Sequence, residues 1–231
     1  VWAWRKNRIY KMKDCMNHLF SVFPHEAVIF KKIKLPVTYV GHPLASKIPL
    51  YLNKQKAKKI IGIDLDGTTI ALLPGSRRGE VRWHIDIMLK AALLMNKKLK
   101  NCFFLVPVNS KFNYEYSLKK IKQHGIANIK VIFGHSHEVL SCSDISILAS
   151  GTASLEAALF KKPMIIIYRM SWLSWFLLKR MHLISYVGLP NILLKKFAVP
   201  ELIQNNAQPN NIAHKAIELL SDKKYLKELK N

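Results

Sequence analysis

Short apolar runs alternate with amphipathic segments along most of this chain. From Thr69 onwards the apolar runs are rich in Ile, Leu and Val, and the segments between them repeat apolar residues at helical spacing. Continuous β-branched runs are typical of parallel strands that are covered on both faces. The pattern therefore predicts an α/β fold, a parallel sheet with helices on both faces. The predicted strands are 69–73, 102–106, 129–133, 144–149 and 164–168, and the predicted helices between them are 79–99, 114–125, 136–141 and 152–160.

The part of the chain before Gly41 carries shorter segments of the same kind. They predict helices over 8–19 and 24–34 and strands over 18–23 and 37–40. The turn Gly41-His42-Pro43-Leu44 then interrupts the pattern. We therefore predict a boundary at this turn, with 1–44 as the remnant of an N-terminal domain and 45–231 as a second domain. The chain starts at Val1 without the layout of a signal peptide, which suggests a strand end from a longer protein.

Four further segments lie outside the predicted sheet. Residues 54–63 predict a basic helix, 188–191 a loop, and 210–229 one amphipathic helix. Residues 171–187 hold Trp172, Trp175 and Phe176 beside basic residues, but this segment is too short and interrupted to span a bilayer, which needs about 20 apolar residues. It is either a buried core helix or an interfacial helix that faces the membrane or an acceptor.

The composition indicates a protein with a sizeable core. The chain has 231 residues, of which 50% are hydrophobic, so it is not disordered. Its three cysteines form no CxxC pair and lack the His/Cys spacing of a zinc site, so we expect neither a disulfide framework nor a bound metal. This cysteine usage favours a reducing, cytoplasmic setting.

The charge is strongly basic, with 37 Lys and Arg against 14 Asp and Glu and a net charge of +23. Such a balance favours a polyanionic partner: a nucleic acid, an anionic membrane surface or a phosphorylated substrate. The lysines are spread along the whole chain, which a coding bias toward Lys, Ile and Asn would also produce. No aromatic RNA-binding signature, zinc-finger spacing or basic zipper is present. A basic nucleic-acid-binding α/β module without enzymatic activity is therefore the second hypothesis.

The turn after the first long strand has the residue types of a phosphate-binding loop. Gly75, Ser76 and Gly79 let a ligand approach the backbone, and the start of the following helix offers free N–H groups and a positive dipole. Arg77 and Arg78 add fixed positive charge. The alternative is an ordinary strand-to-helix turn whose arginines face water.

A second strand-to-helix loop has similar chemistry. Ser150, Gly151 and Thr152 can present N–H groups and hydroxyls to a phosphate, and Glu156 follows one turn later, where its carboxylate could accept from ribose hydroxyls. The same residues also make an ordinary helix start, with Glu near the positive end of the dipole. In the loop at 188–191, Asn191 suits either ligand hydrogen bonding or turn chemistry.

Five groups of motifs, taken in order, resemble the lipid-A-disaccharide synthase family over nearly the whole chain. They are Val1-Trp2-Ala3-Trp4-Arg5 with Val40-Gly41-His42-Pro43-Leu44; Leu73-Pro74-Gly75-Ser76-Arg77; the run from Ala149 to Leu159 with Lys162-Pro163-Met164; Tyr186-Val187-Gly188-Leu189-Pro190-Asn191; and Val199-Pro200-Glu201-Leu202. The sequence departs from the pattern at Arg78 and Gly79, where many relatives have Gly and a small or polar residue. Most of the family's N-terminal acceptor domain, including its proposed catalytic carboxylate, has no counterpart here.

The resemblance implies a glycosyltransferase of the two-Rossmann GT-B type. It would move 2,3-diacylglucosamine from a UDP donor to 2,3-diacylglucosamine 1-phosphate, forming the β-1,6 disaccharide of lipid A and releasing UDP without a cofactor. The enzyme would work at the cytoplasmic face of the inner membrane, on its anionic surface, and a homodimer is an open option. By this resemblance, the diphosphate would be bound by Ser76, Arg77, Ser150, Gly151 and Thr152. Glu156 would bind the ribose, and Asn191 would contact the donor or its diphosphate. The catalytic base stays unassigned, and His135 and His137 are weak candidates for the uracil.

Overall fold

The computed structural model describes residues 7–48, 52–63, 66–172, 175 and 186–229. In the N-terminal part, two short parallel strands pair with each other, Leu19 opposite Val37. The elements of this part are α1 (Arg8–Cys15), β1 (Leu19–Ser21), α2 (Pro24–Lys32), β2 (Val37–Tyr39), α3 (Leu44–Lys47) and α4 (Lys54–Ile60). The helices and strands predicted here are present, most of them shortened at one or both ends.

A six-stranded parallel sheet organises the rest of the chain. Its strands are β3 (Thr68–Leu73), β4 (Cys102–Val108), β5 (Ile129–Phe133), β6 (Ile145–Ala149), β7 (Met164–Tyr168) and β8 (Glu201–Ile203). The helices are α5 (Arg78–Asn96), α6 (Lys111–His124), α7 (Ser136–Cys142), α8 (Thr152–Leu159), α9 (Leu189–Leu194), α10 (Pro209–Ser221) and α11 (Lys223–Glu228), with a 3₁₀ turn at Gln204–Asn206. The spatial strand order is β5-β4-β3-β6-β7-β8. The chain therefore builds outward from β3 in one direction and then returns to its other side, which is the doubly wound order of Rossmann-like sheets.

The central strand β3 shows why the sheet is covered on both faces. Alternate side chains point to opposite faces of a strand. Ile70 and Leu72 belong to a core cluster with residues of α5, α6 and α10, whereas Ala71 and Leu73 belong to a second cluster with residues of α4, α7 and α8. Since both sets are apolar, both faces carry helices, and the predicted fold class is confirmed.

Two sequence predictions about the C-terminal part are wrong, and one strand there was not predicted. The predicted loop at 188–191 is largely helix, because α9 begins at Leu189 with Pro190 in its first turn. Strand β8 was not predicted, since three residues are too few to show a periodicity. The predicted single helix over 210–229 is two helices, broken at Asp222, whose backbone is non-helical and whose side chain accepts from Tyr225 N–H at 3.0 Å.

Two predictions stay open. The boundary between 1–44 and 45–231 remains a prediction, although the two sheets lie on either side of it in the sequence. The aromatic segment 171–187 lies mostly outside the described residues; within it, Trp172 is exposed. None of the helices in the described part of the chain is long and apolar enough to cross a membrane.

Candidate functional site

A cleft opens at the carboxyl ends of β3 and β6, the neighbouring strands where the sheet order reverses. Ligands bind at such switch points in open α/β sheets, because the loops on either side diverge there. The cavity has a volume of about 420 Å³. It is lined by residues at the carboxyl ends of four strands and in the segments that follow them. These residues are Leu73, Gly75, Ser76, Arg77 and Glu80; Pro107, Val108 and Asn109; Gly134 and Ser136; and Ala149, Ser150, Gly151, Thr152, Ala153 and Glu156.

The turn between β3 and α5 requires glycine at its centre. Gly75 has a φ of +116°, in the region that residues with a Cβ rarely adopt. A Cβ at this position would lie 2.6 Å from Glu80 Cβ and 2.7 Å from Glu80 Oε2. The absence of a side chain at Gly75 therefore lets the Glu80 carboxylate fold back onto the turn.

The carboxylate of Glu80 binds the backbone of this turn. Its Oε2 accepts from Ser76 N–H at 3.1 Å and from Arg77 N–H at 3.2 Å, and its Oε1 accepts from Arg77 Nη1 at 2.9 Å. An anionic group thus already sits against two backbone N–H groups and a guanidinium at the start of α5. The turn has the donors that a phosphate oxygen would use.

Two buried side chains hold the carbonyl groups of the same turn. Asn113 Nδ2 donates to Ser76 O at 3.0 Å, and His84 Nδ1 lies 3.1 Å from Pro74 O. Burial lowers the pKa of His84, whereas the hydrogen bond to Pro74 and the nearby charge of Glu80 raise it. The effect of burial is the largest, so the pKa of His84 is lowered overall. Both side chains are fully buried, so the carbonyls of the turn are anchored inside the protein.

The loop between β6 and α8 forms the opposite wall. Ser150 Oγ donates to Val187 O at 2.7 Å, and Ser154 Oγ donates to Gly151 O at 2.7 Å. The residue before the first turn of α8 is Gly151, which has no side chain to cap the N–H groups of that turn. Gly151 and Thr152 line the cleft, so the start of α8 lies at the cavity.

Glu156 lies one turn into α8 and lines the cleft, as does Ser136 at the start of α7. The Oε2 atom of Glu156 lies 3.7 Å from Nε2 of His137, and the Glu156 side chain is largely buried. His135 instead lies beside Glu138 and is half-exposed. Neither of the two histidines considered for the uracil is among the residues that line the cleft, but the His137 side chain contacts Glu156, which does line it.

Asn191 does not line the cleft, so it is not placed for the direct donor contact that we expected. It is fully buried on α9. Its amide donates to Val199 O and Glu201 Oε1 at 2.8 and 2.7 Å and accepts from the N–H groups of Ala198 and Val199 at 2.8 and 2.9 Å. All of its hydrogen-bonding capacity is therefore used within the protein. Because Glu201 was not recognised as its partner, the sequence suggested a free amide.

The structure brings the other candidates together around one cavity: Ser76, Arg77, Ser150, Gly151, Thr152 and Glu156. Sequence analysis missed Glu80 and Asn109, which line the same cavity. Ser136, which also lines it, lies in the loop 134–138 that the family resemblance places near the uracil. Glu80 could have been found, because an acidic residue at the third helical position is typical of a capping box. Asn109 was missed since β4 continues two residues beyond its predicted end.

The cysteines and acidic groups show no metal chemistry in the described part of the chain. Cys102 and Cys142 are buried, Cys15 is exposed, and all three are free. No group of three or more His, Cys, Asp or Glu residues with metal-binding geometry occurs among the residues described.

The strand order and the cleft at the carboxyl ends of β3 and β6 define a Rossmann-like α/β domain. The chain belongs to the lipid-A-disaccharide synthetase family, whose model matches residues 1–231. Two curated relatives are lipid-A-disaccharide synthases: that of Dechloromonas aromatica is 39% identical over 96% of this chain, and that of Wigglesworthia glossinidia brevipalpis is 39% identical over all of it. The chain covers 59% and 60% of those two proteins, respectively.

Two solved structures illustrate the similarity in fold. A UDP-GlcNAc 2-epimerase from Neisseria meningitidis bound to UDP-GlcNAc matches with a TM-score of 0.66 at 16% identity, over 94% of this chain and 56% of that one. An Anabaena protein in complex with UDP and glucose matches with a TM-score of 0.58 at 11% identity, over 97% and 59%. These likenesses concern the fold. The nucleic-acid-binding alternative has no support from the family or from these structures.

Proposed function

We propose that this chain binds the UDP part of a sugar-nucleotide donor in lipid A biosynthesis. The reaction is transfer of 2,3-diacylglucosamine from UDP to 2,3-diacylglucosamine 1-phosphate, which forms the β-1,6 disaccharide and releases UDP. The observation that carries the proposal is the cleft at the switch point, lined by both candidate phosphate loops together with Glu156. Family membership supplies the reaction class.

The diphosphate lies between the two loops in this proposal. Negative charge builds on the diphosphate as the sugar leaves, so stabilisation of that charge is the largest electrostatic task. The N–H groups of Ser76 and Arg77 and the Arg77 guanidinium serve one side. The start of α8, at Gly151 and Thr152, serves the other, where the helix dipole adds positive potential. Ser150 holds its loop to Val187 and can still accept a hydrogen bond.

A bound diphosphate must either replace the Glu80 carboxylate or share hydrogen-bond donors with it. Its carboxylate now accepts from the Ser76 and Arg77 N–H groups. A bound phosphate brings more charge and more acceptor oxygens to the same donors than one carboxylate does. We therefore assign Glu80 the role of keeping these N–H groups aimed at the cleft before the donor binds.

The nucleoside lies deeper along α8 in this proposal. Glu156 accepts hydrogen bonds from the ribose hydroxyls, and His137 stays beside its carboxylate at 3.7 Å. The loop at Gly134 and Ser136 contributes to the uracil end of the cleft. The base that deprotonates the acceptor hydroxyl is not assigned to any residue of this chain.

Two further partners belong to the proposal. Family membership supports a place at the cytoplasmic face of the inner membrane, where the acylated substrates lie, and the net charge of +23 favours contact with anionic lipid. A homodimer is a separate prediction, which sedimentation equilibrium tests directly.

Calorimetric titration tests the nucleotide site. The chain should bind UDP, and Glu156→Gln should weaken UDP much more than it weakens inorganic pyrophosphate, since only UDP carries ribose hydroxyls. Glu115→Gln is the matched control, because Glu115 is an exposed residue of α6 outside the cleft. Equal weakening of both ligands would reduce Glu156 to a helix-dipole partner, and no UDP binding by the wild-type chain would overturn the proposed function.

A further inference from the structure

His84 is a fully buried histidine that the proposed function leaves without a role. It lies on α5 among apolar residues, with Val81, Ile85 and Met88 on the same buried face, and its exposure is 0%. Burial of an imidazole costs free energy unless its polar atoms are hydrogen-bonded. Both ring nitrogens of His84 have partners, and both partners are backbone groups.

The two hydrogen bonds define the protonation state of the ring. Arg169 N–H donates to Nε2 at 3.0 Å, so Nε2 is an acceptor and carries no proton. The proton of the neutral ring is therefore on Nδ1, which donates to Pro74 O at 3.1 Å. A protonated ring would place an N–H at Nε2 against the N–H of Arg169, and that hydrogen bond would be lost.

These bonds connect two parts of the edge that carries the cleft. Pro74 immediately precedes Gly75 and Ser76, which line the cavity, and Arg169 immediately follows β7. Strand β7 is separated from β3 by β6 in the sheet. His84 thus links the turn after β3 to the end of β7, although β3 and β7 are not paired with each other in the sheet.

The orientation of the turn depends on this anchor. Pro74 O and Ser76 O are both held by buried side chains, His84 and Asn113. With the carbonyls held inside, the N–H groups of Ser76 and Arg77 point toward the carboxylate of Glu80 at the cleft. A loss of the Pro74 bond frees the peptide that leads directly into Gly75.

We propose that His84 is a positioning residue: its neutral imidazole, donating to Pro74 O and accepting from Arg169 N–H, holds the turn in the orientation that binds the UDP diphosphate. This inference rests on the proposed function for its ligand. The hydrogen bonds between His84 and the turn do not depend on that ligand.

A pH dependence follows from the bonding. The charged groups that face His84 are Glu80 on its own helix and Arg169 after β7, and the Tyr168 ring lies 5.8 Å away. Burial is the largest effect and lowers the pKa of His84 below 6.5. The anchored form is therefore neutral. As pH falls below about 6.5, states with a protonated, released ring become more stable relative to the anchored state, so UDP affinity decreases toward acid pH.

The test compares two substitutions at His84. Glutamine has an amide that can donate to Pro74 O and accept from Arg169 N–H but does not titrate, whereas leucine fills the space and leaves both backbone groups unpaired. We expect His84→Gln to bind UDP within about threefold of wild type at pH 7.5, and His84→Leu to bind at least about tenfold more weakly, in line with unpaired buried groups. Unfolding midpoints of both variants show whether each is folded at the assay temperature.

The pH profile separates positioning from packing. UDP itself titrates near pH 6, so the informative quantity is the ratio of wild-type to His84→Gln affinity between pH 7.5 and 5.5. We expect this ratio to fall toward pH 5.5, and His214→Gln, which removes a largely exposed histidine of α10, to follow the wild type. A constant ratio, or a folded His84→Leu variant within twofold of wild type, would make His84 only a core residue.

A measurement without UDP distinguishes failure of this inference from failure of the proposed function. The backbone amide signals of Gly75 and Ser76, followed by heteronuclear NMR, should shift with pH in the wild-type chain and stay constant in His84→Gln. If these signals titrate while UDP does not bind, His84 controls the turn but the proposed ligand is wrong. If they do not titrate in the folded wild-type chain, His84 does not control the turn.

Discussion

Glu80 and Arg77 are joined by two hydrogen bonds, one from the Arg77 backbone N–H to Oε2 at 3.2 Å and one from its guanidinium to Oε1 at 2.9 Å. The arrangement shows that the turn after β3 can bind an oxyanion with both backbone and side-chain donors. It also shows that Arg77, although its side chain is 84% exposed, is directed by a neighbour on the cleft. Contacts within the protein therefore organise the turn.

The first prediction concerns the two glycines of this region. Gly75→Ala should lower the free energy of unfolding by about 1 to 3 kcal/mol, because alanine is strained at positive φ and its Cβ would collide with Glu80. Gly79→Ala is the matched control, since a Cβ at Gly79 meets nothing within 4 Å and alanine favours the helix by about 0.4 to 1 kcal/mol. Urea unfolding of both variants measures the difference, and equal effects would contradict the strained geometry at Gly75.

The second prediction concerns the adjacent arginines. Arg77→Ala should weaken UDP binding by about 1.5 to 3 kcal/mol, the usual contribution of a hydrogen bond to a charged group. In a complete enzyme assay the same change should cost about 2 to 4 kcal/mol of transition-state stabilisation. Arg78→Ala should have little effect, because the Arg78 guanidinium lies 4.4 Å from the centre of the Phe112 ring, outside the residues that line the cleft. Equal losses in the two variants would show that only overall charge matters.

The third prediction concerns Asn191. Asn191→Ala should destabilise the fold by at least about 3 kcal/mol, since it leaves Val199 O and the N–H groups of Ala198 and Val199 without their buried partner. Asn205→Ala, at an exposed position, should change stability by less than about 0.5 kcal/mol. Chemical denaturation gives both values. An Asn191→Ala variant of normal stability that no longer binds UDP would restore the direct contact that the sequence suggested.

The fourth prediction concerns the basic charge. Lysines near a membrane surface contribute about 1 kcal/mol each, and their attraction is screened over about 8 Å at physiological ionic strength. The chain should therefore sediment with anionic phosphatidylglycerol vesicles at low salt and be released at high salt. Neutral phosphatidylcholine vesicles are the control. Binding that does not depend on salt, or no binding at all, would remove the argument from the net charge of +23.

The sequence by itself determined the fold class and most of the cleft. Runs such as 145–149 and 164–168 are apolar at every position or nearly so, and only a strand buried on both faces requires this. Both strand-to-helix loops could be identified because glycine and hydroxyl residues follow directly after such runs. The carboxyl ends of parallel strands share one edge, so these loops had to lie on the same side of the sheet.

Only the tertiary structure decided which polar side chains remain available to a ligand. Asn191 and His84 are polar residues near predicted turns, but Asn191 binds Glu201 ten positions away and His84 binds Pro74 and Arg169, ten and 85 positions away. No local pattern encodes these pairings, whereas Glu80 binds Ser76 and Arg77 within one turn, which the capping-box pattern does encode. Asn191 on α9 meets Glu201 of β8, a partner in a separate element, whereas Glu156 lies at the cleft, where α8 begins. Hydrogen bonds between separate elements depend on how those elements pack, and that packing is a property of the whole fold.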